Sequence, residues 1–185
     1  MSLKSTDLAY AIFEKYYSDN HPARNILLTH SRLVRNKALE IADKHPELNA
    51  NQQFLSEAAM LHDIGIFLTN APEIGCHGEY PYICHGYLGR EILEKEGLPH
   101  HALVCERHTG TGLSAEEIRM QKLPLPHRDM VPISIEEQII CFADTFFSKG
   151  IETEREKTPD EVKQTLKKYG TDKVEKFSKW CTIFL

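Results

Sequence analysis

Ala58-Ala59-Met60-Leu61-His62-Asp63-Ile64-Gly65 places a histidine and an acid at the end of an apolar run of small residues. Such a run belongs in a helical core. Two polar side chains buried there without partners would cost several kcal/mol of lost solvation. A metal ion that binds both removes that cost. Adjacent helical residues point about 100° apart, so on a helix the pair would face two neighbouring ions, with the carboxylate bridging. A plainer reading has Asp63 stop the helix before Gly65, which accounts for Asp63 but not for His62.

Outward from this pair, four more residues could turn inward. His30 shares a helical face with Leu27, Val34 and Ala38. His85 opens the helical stretch Gly86-Tyr87-Leu88-Gly89-Arg90-Glu91-Ile92-Leu93 and could equally face solvent. His108 closes Ala102-Leu103-Val104-Cys105-Glu106-Arg107, where it could simply meet the negative end of a helix dipole. Asp144 falls mid-helix within Ile139-Ile140-Cys141-Phe142-Ala143-Asp144-Thr145-Phe146-Phe147, and an acid so flanked needs a partner. Nitrogen and oxygen ligands of this kind suit one or two divalent ions that activate water.

At 185 residues, 41% hydrophobic and 26% charged, the chain has enough material for a single domain with a substantial core. A net charge of −5 argues against polymeric nucleic acid as a partner, but not against a small phosphorylated substrate held by metals. No apolar run is long enough to span a bilayer, and Met1-Ser2-Leu3-Lys4-Ser5-Thr6-Asp7 lacks the apolar core of a signal peptide. The cysteines Cys76, Cys84, Cys105, Cys141 and Cys181 form an odd set without framework spacing, which points to free thiols in a reducing cytoplasm. Cys76-His77 and Cys84-His85 match no structural-zinc spacing.

The pattern predicts an all-α fold with helices at roughly 6–18, 24–44, 52–64, 84–96, 99–108, 114–121, 134–149, 159–169 and 172–182. Capping boxes are expected at Ser114/Glu117, Ser134/Glu137 and Thr158/Glu161, and Gly97, Gly150 and Gly170 as left-handed stops. The irregular stretches Phe67 to Ile83 and Leu123 to Pro132 are expected to carry substrate contacts. Val174, Phe177, Trp180, Cys181, Ile183, Phe184 and Leu185 should pack back on the core, with a homodimer contact as the alternative.

Taken in order, His30, His62-Asp63 and Asp144 resemble the ligand signature of HD-domain metal-dependent phosphohydrolases, and Ile64-Gly65 completes the His-Asp-Ile-Gly form of one subset. His85 to Leu93, Arg107 to Leu113 and Glu136 to Asp144 extend the resemblance over about 25–150. It implies a helical bundle with His30, His62, Asp63 and Asp144 on one metal, and His85 and His108 joining a bridging Asp63 on a second. Fe, Mn, Mg, Co, Ni or Zn would be the divalent metal, and metal-activated water would attack a phosphate ester or nucleotide. Arg107, Arg128 and Lys149 are candidates to neutralise the phosphate, and His77 to protonate the leaving oxygen. The branch that cleaves cyclic dinucleotides has Lys where this chain has Ile66, and Gly-Tyr-Pro where it has Gly112-Leu113-Ser114, so that substrate is disfavoured. Di-iron oxygenases of the HD type share the same ligand set, and a non-catalytic nucleotide-sensing domain is the remaining alternative.

Overall fold

A computed structural model describes residues 5–18, 21–150 and 154–185. The start of the N-terminal stretch read against a signal peptide, residues 1–4, lies outside the described residues. Among those described, the helices are α1 (Ser5–Tyr16), α2 (Arg24–Lys44), α3 (Gln52–Leu61), α4 (His85–Lys95), α5 (Pro99–Arg107), α6 (Ala115–Met120), α7 (Ile135–Asp144), α8 (Pro159–Leu166) and α9 (Thr171–Phe184). The helical reading holds, with one small exception. Asn70–Ala71 (β1) pairs antiparallel with Cys76–His77 (β2) inside the irregular stretch before α4. Strands this short carry no alternation that a sequence pattern could show.

α3 packs against α1, α2, α5 and α7, so its end lies deep in the protein. Asn51 caps its start by accepting from the Phe54 N–H. The expected run to residue 64 is not reached: the helix ends at Leu61 and the chain turns through His62 to Gly65. α7 is likewise shorter than expected, so Asp144 is its last residue rather than a mid-helix one. Gly150 therefore follows a non-helical stretch instead of a helix end, although its φ of 139° is positive.

The capping boxes at Ser114 and Thr158 are complete. At Ser134 only half the box forms. Ser134 accepts from the Glu137 N–H, but the Glu137 carboxylate binds the Ile133 N–H and Arg107 instead. α9 closes the core as expected: Phe177, Trp180 and Phe184 are buried, while Ile183 and Leu185 are exposed. Phe177 and Phe184 place their rings 5.1 and 5.3 Å from Phe142 of α7, which anchors the helix that carries Asp144. Among the described residues no helix is long and apolar enough to cross a membrane.

The stretch Leu123 to Pro132 is chiefly a packing element. Leu125 and Met130 are buried with Cys84, Leu88 and Ile118, and Met130 exchanges backbone hydrogen bonds with Leu113.

Candidate metal centre

The turn after α3 is shaped by close backbone approach. A Cβ at Gly65 would overlap the His85 carbonyl and lie 2.5 Å from the Gly89 nitrogen, and one at Gly89 would strike the Cys105 sulfur. Only glycine at both positions lets the start of α4 lie against residues 62–65 and against α5. Tyr17, fully buried, braces the other side: its hydroxyl donates to the Ile64 carbonyl at 3.1 Å and accepts from the Phe67 N–H at 3.1 Å. α2, the turn after α3, α4, the end of α5 and the end of α7 together bring six candidate ligands to one place.

His30, His62, Asp63 and Asp144 bring one ligand atom apiece within 4.8 Å of each other, and Asp63, His85 and His108 form a second such group. The two groups meet in one carboxylate. Asp63 Oδ2 lies 3.3 Å from His30 Nε2 and 3.1 Å from His62 Nε2, and Oδ1 lies 3.4 Å from His108 Nε2 and 3.6 Å from His85 Nε2. Asp144 Oδ1 sits 2.9 Å from His30 Nε2 and 3.5 Å from His62 Nε2. His62 and Asp63 belong to the same group, with Nε2 of one 3.1 Å from Oδ2 of the other. The His62 backbone stays in the right-handed helical region, with φ −57° and ψ −26°, so the turn continues the path of α3.

Ring orientation is fixed from behind. The Nδ1 atoms of His62, His85 and His108 each lie 2.7 Å from the carbonyl three residues upstream, of Ala59, Tyr82 and Cys105. A carbonyl only accepts, so each Nδ1 carries the hydrogen and each Nε2 faces the cluster. Burial and the neighbouring His108 push His85 down to about 3, so it is neutral. Its Nε2 therefore presents a lone pair toward His108 Nε2, 3.0 Å away. Two ring nitrogens so placed need a cation or a proton between them.

The first group has the same signature of an intended ion. Nε2 of His30 and His62, both Asp63 oxygens and Asp144 Oδ1 are buried yet make no well-formed hydrogen bond. Burial opposes charge on His62, but the Asp63 and Asp144 carboxylates raise it to about 10. Against the same burial, His62 and Lys149 hold Asp63 well below the usual carboxylate range. Lys149 Nζ stands 2.9 Å from Asp63 Oδ2 and 3.8 Å from Asp144 Oδ1, a positive charge already drawn to the ligands. The donor set thus fits divalent metal ions: nitrogen and oxygen only, largely buried, oriented, and short of partners.

The other sequence candidates lie elsewhere. His77 is exposed on β2. Arg128 donates to Glu106 with its Nε at 2.8 Å, on a carboxylate that Arg90 shares, and Arg107 binds both Glu137 oxygens at 3.0 Å. Both arginines have structural partners among the described residues. Sequence reasoning missed two thiols. Cys105 donates to the His62 carbonyl at 2.8 Å and Cys141 to the His108 carbonyl at 3.2 Å, which pins the ligand backbone. Their burial among apolar residues was legible, but their donor role was not. Tyr82, whose ring lies 4.8 Å from that of His85, was also missed.

A family model described as HD domain matches residues 27–147, a span that includes every ligand of both groups. The chain belongs to the HD-domain family. Among relatives of this HD domain, the protein named tRNA (cytidine(56)-2'-O)-methyltransferase of Picrophilus torridus is 35% identical over 127 residues, 68% of this chain and 33% of that protein. Its namesake of Thermoplasma volcanium is 28% identical over 164 residues, covering 88% and 44%. Uncharacterized protein MJ0778 of Methanocaldococcus jannaschii is 32% identical over 133 residues, 71% of this chain and 69% of that one. The match thus spans a third to under half of the methyltransferase relatives' length. In fold, this HD domain is similar to that of the L. monocytogenes phosphodiesterase PgpH, with a TM-score of 0.53, 16% identity, and 91% and 92% of the two chains covered.

Proposed function

We propose that this HD domain is a metal-dependent phosphohydrolase acting on a small phosphate ester or nucleotide, with two divalent ions sharing Asp63. The observation that carries the reading is the division of the Asp63 carboxylate: Oδ2 faces His30, His62 and Lys149, and Oδ1 faces His85 and His108. His30, His62, Asp63 and Asp144 would hold one ion, and Asp63, His85 and His108 the other. Ions of this kind, among them Fe, Mn, Mg, Co, Ni and Zn, polarise a phosphoryl oxygen and lower the pKa of water toward neutrality.

The chain's own residues supply the rest. The Ala59, Tyr82 and Cys105 carbonyls hold three rings in the ligating tautomer. Lys149 is the cation nearest the two carboxylates, and once these are neutralised its ammonium is available to a substrate phosphate oxygen. The methyltransferase activity in the names of two relatives is a property of proteins of which this chain matches 33% and 44%, and it is not carried over.

The test is phosphate release by metal-replete protein from a panel of phosphomonoesters and nucleotides under strict anoxia. Turnover is expected, and Asp63→Asn should abolish it. A requirement for dioxygen would favour the oxygenase alternative. Nucleotide binding without turnover, with Asp63→Asn lowering only stability, would favour a sensing domain.

A further inference from the structure

A cavity of about 330 Å³ opens beside the metal centre, between the residues that lead into α4, the loop after His108, and α8. We propose that it is the recognition pocket for the organic group of a phosphate monoester, that this group is apolar and ring-bearing, and that Thr111 and Lys157 receive the phosphate oxygens the metals leave free. The phosphate end of this proposal rests on the phosphohydrolase reading, whereas the pocket does not.

His85 and Asp144 are part of the lining, so a group seated in the cavity lies against two of the residues placed at the metal centre. Ile83, Leu113, Phe147, Val162 and Leu166 supply apolar wall. A sugar or polyol placed there would lose its water hydrogen bonds and find few replacements, whereas a ring would gain by burial. Tyr82 and Tyr169 add ring faces to the lining, against which a planar group can stack.

Two polar groups of this lining carry the phosphate end. Thr111 is 2% exposed, and its hydroxyl has no hydrogen-bond partner among the described residues. Buried hydroxyls are rarely left so, and a ligand oxygen in the cavity gives this one a partner. Lys157 is half-buried and makes no close ion pair among the described residues, and the Asp144 and Glu161 carboxylates attract its charge toward this side of the cavity. Its backbone N–H donates to the Phe146 carbonyl at 2.9 Å, which fixes it beside the end of α7. The other lysine of the lining is differently employed: Lys173 donates to the Gly112 carbonyl at 3.0 Å and pairs with Glu117, so it positions the loop. Lys157, Val162 and Leu166 all lie beyond residue 147, where the family match ends. The segment beyond the family match thus supplies part of the lining.

Calorimetric binding of phenylphosphonate and methylphosphonate to the metal-replete protein separates head group from organic group. Phenylphosphonate should bind about tenfold tighter or better, as burial of a ring requires, and Ile83→Thr should shrink that ratio several-fold. Thr111→Val and Lys157→Gln should weaken both ligands. Thr111→Val should do so with an unchanged or higher Tm, because it replaces an unpartnered buried hydroxyl by a methyl group. Equal affinity for the two phosphonates would overturn the pocket. A lowered Tm with unaltered affinity in Thr111→Val would overturn the role of Thr111 and show a structural one. If the ring preference holds while no ester is hydrolysed, the phosphohydrolase reading fails and the pocket stands.

Discussion

Gly65→Ala couples packing to chemistry at one atom. The added Cβ would lie 2.5 Å from the Gly89 nitrogen, 2.9 Å from its Cα, and in overlap with the His85 carbonyl. Ordinary contact distances are near 3.5–4.0 Å, so the start of α4 must retreat by roughly 1 Å, because backbone on both sides leaves no rotamer to adjust. Overpacking of this kind costs about 1–3 kcal/mol, which for a chain this size lowers Tm by roughly 2–12 °C. The retreat carries His85 away from Asp63, from which its Nε2 is now 3.6 Å, while His30, His62 and Asp144 stand on other elements. The variant should therefore keep the first ion and lose the second, and a displacement of that size should lower turnover about 100-fold. Thermal unfolding, elemental analysis and phosphate release on the same preparation test this together. A Gly65→Ala protein with unaltered Tm and unaltered metal content would refute the argument that close approach at Gly65 sets the His85 position.

Tyr17→Phe removes the hydroxyl that ties α1 to the His-Asp-Ile-Gly turn and leaves the buried Ile64 carbonyl and Phe67 N–H short of partners. Stability should fall by about 1–3 kcal/mol in denaturant unfolding with metal content retained, and an unchanged midpoint would contradict the bracing role. In the metal-free protein His62 holds its Nε2 proton up to about 10, so an ion must displace it. Apparent affinity for Zn should rise about tenfold per pH unit between pH 7 and pH 9, with a proton released on binding; an affinity flat across that window would contradict a protonated His62 in the metal-free protein.

Much of the site could be read from residue types alone, because buried histidines and acids need partners whatever the fold. The six candidate ligands are marked by that need, their grouping on two ions by the resemblance to HD-domain proteins alone, and the order of helices and the return of α9 to the core by apolar spacing. Directions at helix ends are not so marked. His62 and Asp63 lie in the turn after Leu61, and the close approach of Gly65 to Gly89, twenty-four residues on, is not visible in the local pattern. Glu137 illustrates the same limit: the spacing of a capping box was present, but Arg107 and the Ile133 N–H took the carboxylate. Arg128 looked available for phosphate because nothing in its neighbourhood along the chain reveals Glu106. The lining contributed by α8 is hidden for a related reason, since only tertiary placement brings Val162 and Leu166 into one cavity with Asp144.

The central claim is that Asp63 divides one carboxylate between two ion positions. Metal titration of stripped protein followed by elemental analysis tests it most directly, on the wild type and on His85→Ala and Asp63→Ala. The account predicts two ions per chain in the wild type, one in His85→Ala, and neither held tightly in Asp63→Ala. A wild type that saturates at one ion, with the same stoichiometry in His85→Ala, would contradict it.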